Sequence, residues 1–298
     1  MKISTKLAFA SVSLLSLAMP AYAAEADEDT SGAIIVEARR KDEDIQEVPL
    51  TVNAVSAAAI EKLNIRDLKD ISSVVPGLQL SAGNNVTGSV SSLRGLNVDV
   101  TASGNNGTVE FYLNDAPISS GALLQTMFDV GQIEVLRGPQ GTLRGRASPS
   151  GSITVTTHRP DLSNYGGYAQ VTATDLGGMN LQGAVNVPVV KDVLAIRVAA
   201  MGEDNEANRV NTIYNNVGPS NKTRAVRVSV RATPVDGLEL NASYAHLVKN
   251  SLIYDQVESA ALATNGTVVG TLINAQSRLS VLNVPRQNHM GFDMFNWQ

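Results

Sequence analysis

Five successive segments between residues 169 and 244 alternate between two kinds of side chain, and this period of two constrains the fold more than any other feature. Ala169, Val171 and Ala173 alternate with Gln170, Thr172 and Thr174; Leu181, Gly183, Val185 and Val187 alternate with Gln182, Ala184 and Asn186. Leu194, Ile196, Val198 and Ala200 alternate with Ala195, Arg197 and Ala199. Val226, Val228, Val230 and Ala232 face away from Arg227, Ser229, Arg231 and Thr233, and Leu238, Leu240, Ala242 and Tyr244 face away from Glu239, Asn241 and Ser243. In a strand, such spacing sends each set to its own face, and here charge falls on one face only. The connections at 190–192 and 233–237 are tight, whereas those at 202–222 and 249–277 are long and polar. A membrane β-barrel wall has this rhythm of short and long connections. A soluble antiparallel sandwich alternates as well.

The chain reads as exported. Lys2 and Lys6 precede an apolar run from Leu7 to Met19, and Ala21-Tyr22-Ala23 is a small-x-small cleavage site. That run falls short of the roughly 20 apolar residues a spanning helix needs, so residues 1–23 are expected to be a cleaved signal peptide. There is no cysteine, which excludes a disulfide framework and thiolate metal sites. Later segments hold no apolar run long enough for a membrane helix, so a membrane position would have to be taken by strands.

Between these ends, residues 45–160 have a mixed texture. Leu50 to Val55 alternates like a half-buried strand, and Ser56 is placed to cap a helix through Ala57 to Leu63. A second short helix is expected over Asp67–Ser73, with Leu68 and Ile71 inward, stopping before Pro76-Gly77. Short strands follow at Leu78–Leu80, Val90–Leu93 and Val109–Leu113, separated by Gly- and Asn-rich links. Then Ile133 and Val135 lead into Gly138, Gly141 and Gly145, a spacing suited to sharp turns with positive φ, and Ser152–Thr157 reads as a further strand before Pro160. This order suggests a small α+β domain.

The block Gln132-Ile133-Glu134-Val135-Leu136-Arg137-Gly138-Pro139-Gln140-Gly141-Thr142-Leu143 resembles the plug-domain signature of TonB-dependent outer-membrane receptors. Pro76-Gly77-Leu78, Leu93-Arg94-Gly95 and Tyr112-Leu113-Asn114-Asp115-Ala116-Pro117 match the same family in the right order. The chain departs from it at Arg144-Gly145, at Ala147 and at Ser150-Gly151, which touches the local loop rather than the domain. The resemblance implies an α+β plug domain (45–160) followed by an incomplete antiparallel transmembrane β-barrel (161–298). It also implies that Arg94, Glu134 and Arg137, beside Gly95, Gly138, Pro139, Gly141 and Gly145, help seat the plug on the barrel. On the residues alone these charges could equally be solvated at the domain surface. Runs near 98–106 and 119–127 would then be apical ligand contacts.

Residues 24–47 carry nine acidic side chains against Arg39, Arg40 and Lys41, too polar a composition to fold alone. Within this arm (24–44) lies one β-prone island, Ala33, Ile34, Ile35, Val36, Glu37 and Ala38. It could pair with the open edge of a partner sheet, or be the first strand of the following domain. The family resemblance favours the first: the island stands where the TonB box captures the energy-transducing protein of the inner membrane. Only nine residues separate it from the cleavage site, which leaves no room for an added signalling domain.

No chemistry of an enzyme emerges. His158, His246 and His289 are far apart, there is no G-x-S-x-G elbow, and no Lys-Ser or Lys-Thr completes a phosphate loop at 138–145. No cofactor is implied, and the acidity disfavours nucleic acid. Five strands and a weak sixth near 279–284 fall short of a closed barrel, which needs at least about 8. With no strand ending in a terminal aromatic, the expectation is the N-terminal portion of a receptor. That receptor would import a scarce nutrient across the outer membrane, a ferric siderophore by family habit, with its N-terminus in the periplasm. The alternatives are a non-transporting fragment that binds the transducer, or a non-functional remnant.

Overall fold

Ser56 closes one strand and opens a helix: its hydroxyl accepts from the Ala59 amide at 3.3 Å, relieving a helix N-terminus that has no internal partner. The computed structural model describes residues 34–37, 41, 43–65, 68–81, 90–97, 107–123, 126–175, 177–212, 214, 216–254, 278–280 and 284–298. The signal segment 1–23, the ends Ala33 and Ala38 of the island, the 98–106 run and most of the 249–277 connection lie outside them.

The arm contributes β1 (Ile35–Val36) and β2 (Glu43–Asp44), paired antiparallel. The mixed domain runs through β3 (Val52–Ser56), α1 (Ala57–Lys62), a 3-10 helix (Leu68–Ser73), β4 (Leu78–Ser81), β5 (Val90–Leu93) and β6 (Leu96–Asn97). It continues with β7 (Val109–Leu113), β8 (Ala116–Ile118), α2 (Ser120–Leu123), β9 (Val130–Arg137), α3 (Gly141–Arg144) and β10 (Gly151–Thr157). Its main sheet has the order β3-β9-β10-β7-β8, with β10 parallel to β7 and the other pairs antiparallel. Strands β9 and β10 are buried on both faces, so the polar Glu134, Ser152 and Thr154 that alternate with Ile133, Val135, Ile153 and Val155 are buried as well. These four join Ile60, Leu68, Ile71, Leu78, Leu93 and Phe111 in one core, so Leu68 and Ile71 point inward as the sequence implies.

Beyond Pro160 the chain forms β11 (Gly166–Ala173), β12 (Met179–Val190), β13 (Leu194–Asn205), β14 (Asn211–Thr212), β15 (Ser220–Val235), β16 (Leu238–Ile253), β17 (Leu279–Ser280) and β18 (Arg286–Trp297). Six of these make an open antiparallel sheet of order β11-β12-β13-β15-β16-β18. Two corrections to the sequence reading follow. Of residues 279–284, the described pair Leu279–Ser280 joins not the wall but β14, in parallel, between the two long connections. The sixth wall strand is β18, in the terminal stretch where no closing strand was expected, and it pairs with β16 from Ala242↔Trp297 to Ile253↔Arg286. Its pattern was hidden because Met290, Phe292, Met294 and Asn296 face inward, a mixed set, while Phe295 and Trp297 share the outer face with His289 and Asp293.

The faces of the wall are unambiguous. Val185 is 59% exposed on the outer side, whereas its neighbour Asn186 on the inner side is 2% exposed. The apolar set therefore faces outward, the arrangement of a wall that meets lipid, and the inner face packs on the mixed domain.

Candidate functional site

The arm does not lie free. Val36 is 1% exposed and packs against Val48 and Leu136. The Glu37 amide donates to Glu134 Oε1 at 2.7 Å, and Gln132 Nε2 donates to the Ile35 carbonyl at 3.0 Å. The Glu37 carboxylate meets Arg159 at 2.5 Å. Ile34 and Ile35 remain exposed, at 41% and 47%.

Arg159 lies just before the linker into the wall, and that linker is stitched down. Asn186 Nδ2 donates to the carbonyls of Asp161 and Asn164 at 2.9 and 2.7 Å, and its oxygen accepts from the Asp161 amide. Ser163 Oγ donates to Asp192 Oδ1, and the Asp192 amide donates to Leu162 O. Asp192 belongs to the short turn between β12 and β13, so the arm sits at the short-turn end of the wall. The Ser163 amide donates to Asp161, which holds that carboxyl below its ordinary range.

Three seams fasten the mixed domain to the inner wall. Phe128 enters a pocket of Ala184, Ala199, Met201, Ala225 and Leu247. The Arg227 guanidinium stacks over its ring, 4.3 Å from the centroid, and donates to the Phe128 and Thr126 carbonyls. Next to it, Arg197 donates twice to Asp129, and His158 Nδ1 lies 3.4 Å from the same carboxylate. Burial alone would raise Asp129, but the bonds from Arg197 and His158 outweigh it and bring the carboxyl down to about 2. On α1, Glu61 accepts from Gln170 at 2.7 Å, and Gln170 in turn accepts from Gln182. Finally, Asn296 and Gln298 donate to the Asn114 carbonyl at 3.1 and 2.7 Å.

Arg94 is exposed with φ +56, and its amide donates to Gly77 O. Arg137 turns into the mixed domain and donates to Pro76 O at 3.0 Å. Glu134 is buried and holds the arm. Gly95 and Gly138 have φ +77 and +89, Pro139 is exposed, and Gly145 ends the short α3 with φ +71, its amide donating to Gly141 O. In that loop Arg146 pairs with Glu110 at 3.3 Å; burial raises the Glu110 carboxyl despite this partner. In the 119–127 run, read as an apical contact, Leu123, Thr126 and Met127 are buried and Ser119 is exposed. The residues that the reading passed over, Asp129, Arg197 and Arg227, had one signal. A lone charge on the inner face of a strand otherwise lined by small residues needs a partner inside.

Among the described residues no group of three His, Asp or Glu side chains is placed to hold a cation. The family model described as "TonB-dependent Receptor Plug Domain" matches residues 44–152. The chain is similar to the pesticin receptor of Yersinia pestis, 29% identical over 157 residues, covering 52% of this chain and 23% of that protein. It is also similar to the catecholate siderophore receptor Fiu of Escherichia coli K12, 29% identical over 158 residues, covering 51% and 19%. Thus the matched part spans about a quarter or less of these relatives' length. Among solved structures, the ferric yersiniabactin uptake receptor FyuA of Yersinia pestis aligns with a TM-score of 0.62 at 22% identity, covering 75% of this chain and 35% of that one. The ferripyoverdine receptor of the outer membrane of Pseudomonas aeruginosa aligns with a TM-score of 0.62 at 15% identity, covering 84% and 32%. With its mixed domain seated on an open antiparallel wall, the chain carries the plug domain of a TonB-dependent receptor together with strands of a partial barrel.

Proposed function

We propose that this plug and wall serve, in a receptor whose barrel is closed, the energised uptake of a ferric siderophore across the outer membrane. The observation that carries the reading is the arm. A short β-prone strand with two exposed isoleucines is docked on the central plug strand β9, at the end of the wall that bears the short turns. In outer-membrane barrels that end faces the periplasm, where a TonB-type energy-transducing protein can reach residues 33–38. Three of the similar proteins support the cargo class: Fiu, FyuA and the ferripyoverdine receptor are named as receptors for siderophores or their iron complexes.

Mechanically, a pull on the arm loads Glu37, and through it Glu134 on β9 and Arg159 beside the wall linker. The linker itself is held by Asn186 and Asp192. Force therefore enters the middle of the plug sheet while the plug's exit stays fixed, which favours remodelling of the plug over its extraction. Arg94, Arg137 and the turn from Gly138 to Gly145 keep the signature loop in shape for that movement. No step makes or breaks a covalent bond.

The test is deletion of Ile34–Val36 in a full-length receptor that carries this segment, with uptake and binding of a labelled ferric siderophore measured separately. Uptake is expected to vanish while binding at the cell surface persists. Unchanged uptake would contradict the reading.

A further inference from the structure

The two edges of β1 are occupied in different ways. Along one edge it pairs with β2, with the Ile45 amide donating to Ile34 O at 2.9 Å and Val36 opposite Glu43. Alternation then turns the main-chain groups of Ile35 and Glu37 to the other edge. Among the described residues no strand lies there. Instead Gln132 Nε2 donates to Ile35 O, and Glu134 Oε1 accepts from the Glu37 amide. Gln132 Nε2 also reaches Glu134 Oε1 at 3.3 Å, tying donor and acceptor into one unit.

The spacing of these bonds has a specific meaning. In a parallel ladder, one residue of the neighbouring strand donates to the carbonyl of residue i−1 and accepts from the amide of residue i+1. Around Val36 those groups are Ile35 O and Glu37 N. Gln132 and Glu134 lie two apart on β9 and so point the same way, while Ile133 between them faces the core at 0% exposure. Together they supply what one residue of a parallel strand would supply.

We infer that Gln132 and Glu134 form a side-chain rung that occupies the edge of the arm strand opposite β2 and closes it to strand addition until the rung is withdrawn. The inference rests on the reading of residues 33–38 as the transducer's capture segment. The partner it excludes is an extended strand running parallel to Ile34–Glu37, recognised through main-chain groups. The Val36 pocket and the Glu37–Arg159 pair hold the arm down as well, but neither covers this edge. The rung also lies close to a seam: Gln132 is three residues from Asp129, and the β9–β10 register shifts between Thr156 and Thr157, opposite Gly131. A change at the Asp129–Arg197 contact is thus transmitted along three residues of a bulged strand to the rung.

Two measurements on the intact chain in detergent test this. The first is hydrogen exchange at the Glu37 amide without any partner. Gln132→Ala removes one hydrogen bond of ordinary strength, about a five-fold change in an opening equilibrium, so exchange should be about five times faster than in the parent. Glu134→Gln, whose amide oxygen still accepts, should stay within about two-fold. Equal exchange in Gln132→Ala and the parent would overturn the rung. The second is calorimetric titration with the purified periplasmic domain of a TonB-type transducer, beside a synthetic peptide of residues 32–41. If the peptide binds and Gln132→Ala binds about five-fold tighter than the parent, the rung closes the capture edge, because affinity is reduced by the fraction of open arm. If the peptide binds but the parent and Gln132→Ala bind alike, the rung does not regulate capture and the inference fails. A peptide that does not bind removes the capture reading of the arm, and with it the regulatory role, whatever the exchange result.

Discussion

Asp129 and Arg197 meet as a two-pronged pair across the seam between plug and wall, with Arg197 Nε 2.9 Å from Oδ2 and a terminal nitrogen 2.5 Å from Oδ1. The Asp129 side chain is 2% exposed and that of Arg197 11%. Removing one partner of such a pair strands the other charge away from water, which costs about 3–5 kcal/mol. Arg197→Ala should therefore lower the urea midpoint of the plug sharply. Arg231→Ala, whose partner Glu239 is partly exposed, should change it by about 1 kcal/mol or less.

The same pair sets a pH dependence. The Asp129 carboxyl is lowered from 3.8 to about 2 in the folded chain. A depressed carboxyl contributes stability that is present above its ordinary value and lost as pH falls toward the folded one. About 2 kcal/mol should thus disappear between pH 4 and pH 2. Urea titrations across that range should show the loss in the parent and a flatter profile in Asp129→Asn.

Phe128 is the apolar half of the seam, 2% exposed among three alanines, Met201 and Leu247. Truncation to alanine should cost about 3–5 kcal/mol and leave Arg227 without its stacked ring. Proteolysis of the purified chain should then release the plug from the wall faster than in the parent. An unchanged digestion rate would mean that the stitches at Asn296, Gln298 and Glu61 suffice.

Much of this architecture was legible because period and punctuation agree with the local physics. The Ser56 cap, the inward Leu68 and Ile71 and the five two-faced segments are found where the residues put them. β18 was not legible, since Phe292 and Met294 pack inward while Phe295 and Trp297 share the outer face with His289 and Asp293, so neither face is purely apolar. The arm's strand was visible, but its docking was not. Nothing local in Gln132 or Glu134 says that their side chains meet a main chain 97 residues away. The seam was missed for the same reason: the lone Arg197 among small inner-face residues calls for a partner, but nothing local points to Asp129, 68 residues away.

Two glycines separate packing from conformation. A Cβ on Gly151, at φ +147, would lie 2.1 Å from Leu136 O, between two paired strands that cannot move apart. At Gly138, φ +89, a Cβ would meet nothing within 4 Å. Gly151→Ala should leave little folded protein, whereas Gly138→Ala should fold at a cost of about 1–2 kcal/mol from its backbone conformation alone. Expression yield and the urea midpoint of each variant check the contrast.

The central claim is that residues 33–38 are where an energy-transducing partner takes hold. The chain contains no cysteine, so a single one introduced at Ile35, exposed beside the buried Val36, gives a unique crosslinking site. The direct measurement is disulfide crosslinking of Ile35→Cys to the periplasmic domain of a TonB-type protein carrying single cysteines along its own strands, with Thr233→Cys, near the short-turn end of β15, as control. The account predicts a crosslink at Ile35 and none at Thr233. Crosslinking at Thr233 alone, or capture of the partner that survives deletion of Ile34–Val36, would contradict it.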